Sequence, residues 1–461
     1  MKVLLISTYE LGRQPFGLAS PAAWLRREDF EVFCADCALD PLPAETVRQA
    51  DVIAFYVPMH TAARLAVELL GRVRNLNPDA HICFYGLYAP LNEAYLRRRG
   101  VHTLLGGEFE EGLLRLCRRL RGSQPAAPAN AGDGHPQTEA LISLNRQHFV
   151  APDRRGLPAL SRYAKLCSPP LSPKITGYTE TTRGCKHHCR HCPIVPVYNG
   201  RFRIVQKEAV LADIRRQVGA GAEHLTFGDP DFFNGPGHVL PIVEALHREF
   251  PALTYDVTVK IEHLLKYRQH LPRLRDSGCV LVTSAVESID DRVLQLLDKG
   301  HTREDFIRAV RLLKETGLNL SPTFIPFTPW ITLQGYRELL KLLSDLNLSE
   351  SVSPIQLGIR LLVPAGSKLL DLEEMQRFIR GFNEELLSYE WNHPDPAVDE
   401  LHRQVMEMIK VGGERENNRR GIFMQIWEIA NAMLGLSDPL PEPAPLPSRA
   451  AIPYLNEPWY C

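Results

Sequence analysis

The chain has 461 residues, a length that suggests about three domains or two large ones. Hydrophobic residues make up 44% and charged residues 23%, which excludes disorder throughout and allows packed cores. The 53 Lys and Arg residues balance 54 Asp and Glu, so there is no global positive field for nucleic acid or an anionic membrane. No apolar run approaches the roughly 20 residues that cross a bilayer. We therefore expect a cytoplasmic protein with no nucleic-acid or membrane partner.

The first 121 residues alternate short apolar runs with helical patterns, which predicts a doubly wound parallel sheet with helices on both faces. Ligands of such sheets bind beyond the carboxyl ends of the strands. Gly-x-Gly-x-x-Gly is absent, so ordinary dinucleotide binding loses support. The predicted strands are 3–7, 31–35, 52–58, 81–86 and 102–105, and the loops at their carboxyl ends include 9–17, 59–61, 86–88 and 106–108.

Residues 122–139 are rich in Ala, Pro and Gly without an apolar period, which predicts a linker. Residues 140–370 carry a second alternating series, which predicts a partial (β/α)6 barrel with its chemistry at the carboxyl ends of the strands. Residues 371–436 are predicted to be mainly helical, and residues 437–461 to form a Pro-rich tail. The strand candidates of the second domain are 175–181, 224–227, 255–259, 280–285, 319–325 and 356–362.

Three of the ten cysteines lie close together, directly after the first strand of the second domain. Cys185, Cys189 and Cys192 have the spacing Cys-x3-Cys-x2-Cys, which favours metal binding over disulfides in a cytosolic chain. Iron–sulfur clusters prefer thiolates, and a cubane with three protein thiolates leaves one iron open. The alternative is a zinc site that adds His188 or His191, although zinc sites more often pair Cys-x2-Cys with a distant second pair.

This loop resembles the signature of the radical S-adenosylmethionine (SAM) enzymes, and the resemblance runs from about residue 176 to residue 370. It implies a [4Fe-4S] cluster whose open iron is chelated by SAM. It also implies reductive cleavage of a carbon–sulfur bond and an electron donor such as flavodoxin or ferredoxin. Gly228, Asp229 and Pro230 match the family loop that binds the methionine amino group.

Other residues of the second domain agree with the same resemblance. Ser284 and Glu287 match the fourth-strand segment of the family, in which Glu287 would face the cofactor. Thr258, Lys260 and Glu262 alternate along one predicted strand, so all three would face the same side. Pointing inward, they would add a polar patch for the cofactor; the alternative is a solvated edge strand.

The N-terminal domain is similar to that of the cobalamin-binding members of the same family. This sequence has no Asp-x-His-x-x-Gly, so cobalamin, if bound, would lack a histidine as lower ligand. His60, after the third strand, is a conceivable ligand, although a lone histidine there is more often an ordinary loop residue. The domain could equally have kept its sheet and lost the cofactor.

The last residues resemble the approach to the signature of the CUAEP/CCAEP-tail radical SAM proteins. The sequence stops at the first cysteine of that signature, which is explained if a selenocysteine codon was read as a stop or if the chain was cut; the alternative is a flexible terminal thiol. The tail family resembles the enzyme of arsinothricin biosynthesis, which implies transfer of the 3-amino-3-carboxypropyl group to trivalent arsenic. The substrate would be arsenite or a methylated trivalent arsenical, captured by Cys461 with Cys167 or Cys279. Cys461 and Glu287 are the predicted catalytic residues.

Two other functions remain open at the level of sequence. Within the same family, the rival is cobalamin-dependent methyl transfer, which yields 5′-deoxyadenosine and S-adenosylhomocysteine, whereas carboxypropyl transfer yields methylthioadenosine. In another class, the chain would be a zinc-binding regulatory protein that senses metalloids through its thiols.

Overall fold

The structure is a computed structural model, and it describes residues 1–122, 138–168, 170–413, 419–440 and 453–456. Of the predicted linker, residues 123–137 lie outside the described residues, and so does Cys461. Among the described residues, no helix has both the length and the apolar composition that a membrane crossing requires.

The strands in the described residues are β1 (Lys2–Ser7), β2 (Glu31–Asp36), β3 (Val52–Tyr56), β4 (His81–Tyr85), β5 (Thr103–Gly107), β6 (Ile142–Ser143), β7 (Lys165–Ser168), β8 (Leu171–Thr179), β9 (Thr182–Gly184), β10 (Phe202–Ile204), β11 (His224–Phe227), β12 (Thr254–Thr258), β13 (Cys279–Glu287), β14 (Asn319–Phe324), β15 (Ile379–Asn383), β16 (Ser388–Trp391) and β17 (Tyr454–Leu455).

The helices in the same residues are α1 (Phe16–Arg26), α2 (Ala44–Gln49), α3 (His60–Leu76), α4 (Tyr88–Leu91), α5 (Glu93–Arg98), α6 (Phe109–Leu120), α7 (Val195–Tyr198), α8 (Lys207–Gly219), α9 (Pro236–Glu249), α10 (Ile261–Lys266), α11 (Leu271–Asp276), α12 (Asp291–Leu296), α13 (Arg303–Thr316), α14 (Leu333–Asp345), α15 (Glu373–Gln376), α16 (Pro396–Gly413) and α17 (Arg419–Met433).

The N-terminal sheet has the order β2-β1-β3-β4-β5-β6, and every pairing in it is parallel. Successive side chains of β1 enter opposite cores, Leu4 and Ile6 on one face and Val3 and Leu5 on the other, because side chains alternate along a strand. The predicted doubly wound sheet is confirmed. Its strand order reverses between β1 and β3, the position at which such folds form their binding crevice.

The second sheet has the order β14-β13-β12-β11-β8-β7-β17. The strands β8, β11, β12, β13 and β14 pair in parallel, whereas β7 is antiparallel to β8 and β17 is antiparallel to β7. This curved sheet and the helices around it enclose the largest core of the described chain. The predicted partial barrel is confirmed, with two antiparallel strands added at one edge.

The sixth predicted strand, 356–362, is wrong. The chain there forms a 3-10 turn, Pro354–Leu357, followed by a single parallel bridge between Phe327 and Arg360. The side chain of Gln356 explains the difference, because its Oε1 accepts the backbone N–H of Phe324 at 3.1 Å. A side chain thus satisfies the donor that a neighbouring strand would otherwise have paired.

The prediction of a mainly helical C-terminal region is correct for α15, α16 and α17 but missed a hairpin. The strands β15 and β16 pair antiparallel, and the side chain of Asn383 accepts the N–H groups of Glu385 and Leu386 in the turn between them. Leu387 follows with φ of 49° and is buried in the core of the N-terminal domain. The hairpin therefore fastens the C-terminal region to the first domain.

Candidate functional site

The cysteine loop is held at its start by a short hairpin. After β8, the chain forms β9, which pairs antiparallel with β10, and Cys185 follows directly. Gly184 has φ of 75°, and a Cβ atom there would lie 2.4 Å from the ring of Tyr198, so only glycine fits this position. Inside the loop the N–H of Cys192 donates to the carbonyl of Cys189 at 3.1 Å.

Two buried lysines lie beside the thiols. Lys260 Nζ is 3.7 Å from Cys189 Sγ. Burial lowers the pKa of Lys299, but Glu287 and then the thiols of Cys189 and Cys192 raise it, and the net shift is upward. Burial raises the pKa of the Cys185 thiol to about 11 and that of the Cys192 thiol to about 12, so these two thiols stay protonated until a metal displaces the protons. Three thiols on one short loop, with two ammonium groups beside them, fit a thiolate-ligated iron–sulfur cluster.

The histidines of the alternative zinc site are engaged elsewhere. His191 Nε2 lies 3.2 Å from Glu287 Oε1, and the ring of His188 packs against the backbone of Gly200. A different histidine lies near the thiols: His187, Cys185 and Asp231 each bring a ligand atom within 4.8 Å of the others. The sequence analysis did not single out His187 or Asp231.

Glu287 ends β13 in a left-handed conformation, with φ of 68°, at an irregularity in the pairing with β14. Positive φ in a non-glycine residue is uncommon and often marks a functional position. Its carboxylate accepts from Lys299 Nζ at 3.3 Å and also faces His191. Burial raises the pKa of Glu287, but Lys299 and His191 outweigh that effect and bring it to about 2. Glu287 is therefore an ionised carboxylate next to the cysteine loop.

The loop after β11 has two roles. Gly228 and Pro230 line the cavities on both sides of it. Asp229 instead accepts the N–H of Thr181 at 3.0 Å, the hydroxyl of Thr181, and the hydroxyl of Thr182 at 2.6 Å. Burial raises the pKa of Asp229 to about 6, and the hydrogen bonds from the two threonines limit the rise. Asp229 thus fastens the approach to the cysteine loop.

The prediction that Thr258, Lys260 and Glu262 share one strand is wrong beyond Thr258. The strand β12 ends at Thr258, and Glu262 lies in the first turn of α10. Thr258 lines the barrel cavity. Lys260 reaches back toward the thiols, and its Nζ lies 3.7 Å from Glu262 Oε2. Lys260 and Glu262 thus meet beside the cysteine loop, where Glu262 also faces His187, but a turn brings them together instead of strand alternation.

Ser284 lies inside the wall of the barrel. Its hydroxyl donates to the carbonyl of Val259 at 2.6 Å, and the side chain is fully buried. The hydroxyl therefore links β13 to the chain after β12, and Ser284 is not among the residues that line the cavity.

The barrel encloses a cavity of about 280 Å³ whose lining is part polar and part apolar. The loop at Gly228 closes one end, and Tyr454 of β17 closes another side. The sequence analysis did not identify this lining as a set. The available signal was the polar residues that recur at corresponding places in successive strands. Polar lining residues include Thr226, Asp256, Thr258, Thr283, Ser321, Thr323 and Gln356.

A second cavity, of about 180 Å³, lies between the two domains. The predicted loops at the carboxyl ends of the first sheet do meet here, through residues such as Glu10 and Met59. The barrel side contributes Glu180 and Arg183. Burial raises the pKa of Glu10 well above its usual range, and the nearby Glu180 carboxylate adds to the rise.

The crevice at the strand-order reversal is filled by the chain's own side chains. A Cβ atom at Gly17 would lie 2.1 Å from the ring of Tyr56, and the hydroxyl of Tyr85 donates to the Gly17 carbonyl at 2.8 Å. His60 Nε2 contacts the carbonyl of Leu386 in the C-terminal hairpin. Pockets of roughly 300–1,000 Å³ hold drug-sized ligands, and a corrinoid is larger. The cavity beside these rings, of about 180 Å³, is smaller than that range.

Two of the predicted arsenic-capturing thiols, Cys279 and Cys167, lie on β13 and β7, which are separated by three strands of the second sheet. Cys279 opens β13 at the amino end of the barrel, is buried, and donates from its Sγ to the carbonyl of Leu281 at 3.5 Å, so it is unsuited to capture. Cys167 is half-buried on β7, opposite Tyr454 of β17. The remaining thiol, Cys461, is outside the described residues.

Comparison with known proteins identifies the second domain. The Radical SAM superfamily matches residues 179–343. A tRNA-2-methylthio-N(6)-dimethylallyladenosine synthase from Chlorobium chlorochromatii is 25% identical over 213 residues, which cover 44% of this chain and 46% of the relative. The hopanoid C-3 methylase of Methylococcus capsulatus is 23% identical over 340 residues, or 71% of this chain and 64% of the relative. The chain spans about half the length of the first curated relatives that it matches.

Two solved structures have the same fold over most of the chain. The cobalamin-dependent SAM radical enzyme OxsB, with aqua-cobalamin bound, superposes with a TM-score of 0.71 at 16% identity, covering 94% of this chain and 72% of that one. The radical SAM methyltransferase TsrM from Kitasatospora setae, with tryptophan and a SAM analogue bound, gives 0.60 at 17% identity, covering 75% and 71%. Residues 179–343 therefore form a radical SAM domain, and the chain is an enzyme.

Proposed function

We propose that this enzyme transfers a fragment of SAM to a small polar acceptor held in the barrel cavity. The observation that carries the proposal is the shared loop at Gly228 and Pro230. This loop lines the barrel cavity on one side and the second cavity, between the two domains, on the other. The second cavity is also lined by Arg183 and Gly184, which directly precede Cys185. An acceptor in the cavity and a cofactor at the loop would therefore be neighbours.

The residues around the loop divide the work. Cys185, Cys189 and Cys192 would hold a [4Fe-4S] cluster, which supplies an electron to SAM when bound. Lys260 and Lys299 offset the negative charge of the thiolates, because buried anions need paired cations. Glu287 presents an ionised carboxylate, and Asp229 fixes the start of the loop.

Anaerobic reconstitution tests the proposal. We expect a brown protein with about four irons and four sulfides per chain, which cleaves SAM when a reductant is added. Quantifying methylthioadenosine and 5′-deoxyadenosine then shows which carbon–sulfur bond breaks. A protein that loads iron and binds SAM but forms neither product after reduction would contradict the proposed function.

For the acceptor, we propose trivalent arsenic and transfer of the 3-amino-3-carboxypropyl group, with methylthioadenosine as the co-product. The tail resemblance supports this. The position of Cys167 supports it too, because Cys167 pairs with Tyr454 of β17, and β17 precedes Cys461 by a few residues in the sequence. The Cys167→Ser variant should bind arsenite more weakly than the unchanged chain, whereas Cys37→Ser should not. Equal arsenite affinity in all three proteins would remove Cys167 from the proposal.

The fold likeness to OxsB and TsrM favours a second candidate, cobalamin-dependent methyl transfer, which requires the aromatic rings of the first-sheet crevice to make room for the corrinoid. The product pair 5′-deoxyadenosine and S-adenosylhomocysteine would identify it. The cluster of Cys185, His187 and Asp231 favours a third, a zinc-binding metalloid sensor. Stoichiometric zinc in protein purified and reconstituted without oxygen, with no iron taken up, would identify the sensor.

A further inference from the structure

We propose that the N-terminal domain positions the cluster loop through Arg183 and does not hold cobalamin. The inference takes radical SAM chemistry as its premise, but it concerns how the loop is held and not which group is transferred. Two independent observations carry it: ion pairs across the domain boundary, and the occupant of the crevice in the first sheet.

Arg183 lies two residues before Cys185 and is 7% exposed. Its Nη1 and Nη2 donate to the carboxylate of Glu110 at 2.9 and 2.7 Å, and its Nε donates to Glu180 at 2.7 Å. Nη1 is also 3.5 Å from Glu108. Glu110 belongs to the first turn of α6 in the N-terminal domain. Bidentate pairing of arginine with a carboxylate fixes orientation as well as distance.

The other end of the loop is attached to the same turn. Tyr198, which closes α7 after the last cysteine, donates from its hydroxyl to Glu108 at 3.1 Å. Gln147 bridges the two acids, donating to Glu108 at 3.2 Å and to Glu110 at 2.9 Å. Ser20 of α1 also donates to Glu110, at 2.6 Å. The cysteine loop is thus held from both sides by one turn of the first domain.

The crevice filling and the arginine form one packed unit. The Arg183 guanidinium lies 5.1 Å from the ring centroid of Phe109 and 5.6 Å from that of Phe16. Phe109 in turn packs on Tyr56 and Tyr85, with centroids 5.7 and 5.0 Å apart. A corrinoid in the crevice would have to displace the same rings that support the arginine. The observed position of the cysteine loop is therefore incompatible with a corrinoid in the crevice.

The variants Glu110→Gln and Arg183→Lys test the positioning role. Glu139→Gln is a matched control, because it also removes a buried carboxylate that pairs with an arginine, here Arg119 of α6. In reconstituted holoprotein, we expect Glu110→Gln to lose iron to a chelator at least about tenfold faster than the unchanged enzyme and to alter the EPR spectrum of the reduced cluster. Arg183→Lys should lose iron at a rate between those of Glu110→Gln and the unchanged enzyme. The control should match the unchanged enzyme.

A milder variant covers the case in which Glu110→Gln does not fold. Ser20→Ala removes one hydrogen bond to Glu110, and we expect a smaller acceleration of iron loss in the same direction. The positioning role would be overturned if every folded variant among Glu110→Gln, Arg183→Lys and Ser20→Ala matched the unchanged enzyme in iron loss and in its EPR spectrum. These readouts need no turnover, so an intact cluster without SAM cleavage would contradict the proposed function and leave this inference standing.

A separate measurement tests the proposal that the N-terminal domain does not hold cobalamin. Unchanged holoprotein is mixed with hydroxocobalamin and passed through gel filtration, and the absorption spectrum of the protein peak is recorded. We expect less than about one tenth of an equivalent to stay with the protein. Retention of one equivalent, with a changed corrinoid spectrum, would overturn it.

Discussion

The molecule contains two sheets of parallel strands, and they treat the carboxyl ends of their strands in opposite ways. In the first sheet, Tyr56, Tyr85 and Phe109 fill the crevice with aromatic rings. In the barrel, the same edge carries the cysteine loop, Lys260 and Lys299, and the barrel keeps a cavity whose lining includes hydroxyl, carboxylate and amide groups. The topology provides a potential ligand site at the carboxyl edge of each sheet. The side chains at that edge determine whether the site is filled or left available.

The largest expected effect comes from removing a thiol from the barrel edge. Cys189→Ala leaves two thiolates for a cluster that needs three, so we expect loss of the iron and SAM cleavage at background level. Iron content, the visible spectrum and product formation measure this. Cys37→Ala, a thiol of the first domain, should keep all three at the level of the unchanged enzyme. Full iron retention in Cys189→Ala would refute the assignment.

The next effect concerns charge in the barrel edge. Lys299→Met leaves the buried Glu287 carboxylate with His191 as its remaining partner, and breaking a buried pair costs roughly 3–5 kcal/mol. Denaturant unfolding of Lys299→Met, of Glu287→Gln and of the double variant measures the coupling. The double variant should regain part of the lost stability. Simple addition of the two single effects would show that the groups are not paired.

Asp229 makes the barrel edge sensitive to pH. Its pKa is raised to about 6 from an unfolded value near 3.8, so the folded state binds the proton more tightly. The resulting stabilisation is complete below about pH 4 and is lost as the pH rises through 6. The linked free energy is roughly 3 kcal/mol.

Asp229→Asn removes this titration. We expect the stability difference between the unchanged chain and the variant to shrink or reverse from pH 4 to pH 6, and urea unfolding at several pH values measures it. A difference that stays constant over that range would contradict the raised pKa.

Ser284 gives the smallest effect. Its hydroxyl makes one buried hydrogen bond, so Ser284→Ala should cost about 1 kcal/mol, and the KM for SAM should not change. A rise of tenfold or more in that KM would instead restore Ser284 to the cofactor site that the sequence suggested.

The sequence predicted what local patterns encode. Apolar alternation identified β1 to β5 of the first sheet and the five parallel strands of the second, but not β6, β7 or β17, and the cysteine spacing identified the loop. It failed where a side chain replaces a backbone partner, as Gln356 does for the predicted sixth strand. It also missed the hairpin of β15 and β16, because Asn383 forms its turn through side-chain hydrogen bonds inside a region rich in helical patterns.

The domain contacts were beyond sequence reasoning for a different reason. Arg183 and Glu110 are 73 positions apart, and a single sequence carries no signal that pairs one charge with another at that distance. The filling of the crevice was equally hidden, because Tyr56 and Tyr85 look like ordinary strand residues until the packing of Gly17 against them is known.

The edge strand β17 sets an order of events during synthesis. Its pairing with β7 and the adjoining contact between Lys165 and Asn456 join residues 291 positions apart. The ribosome has therefore made the cysteine loop, α16, α17 and every other strand of both sheets before β17 can pair with β7. In a nascent chain that has reached residue 440, β7 is therefore still without this partner strand, and Tyr454 does not yet line the barrel cavity.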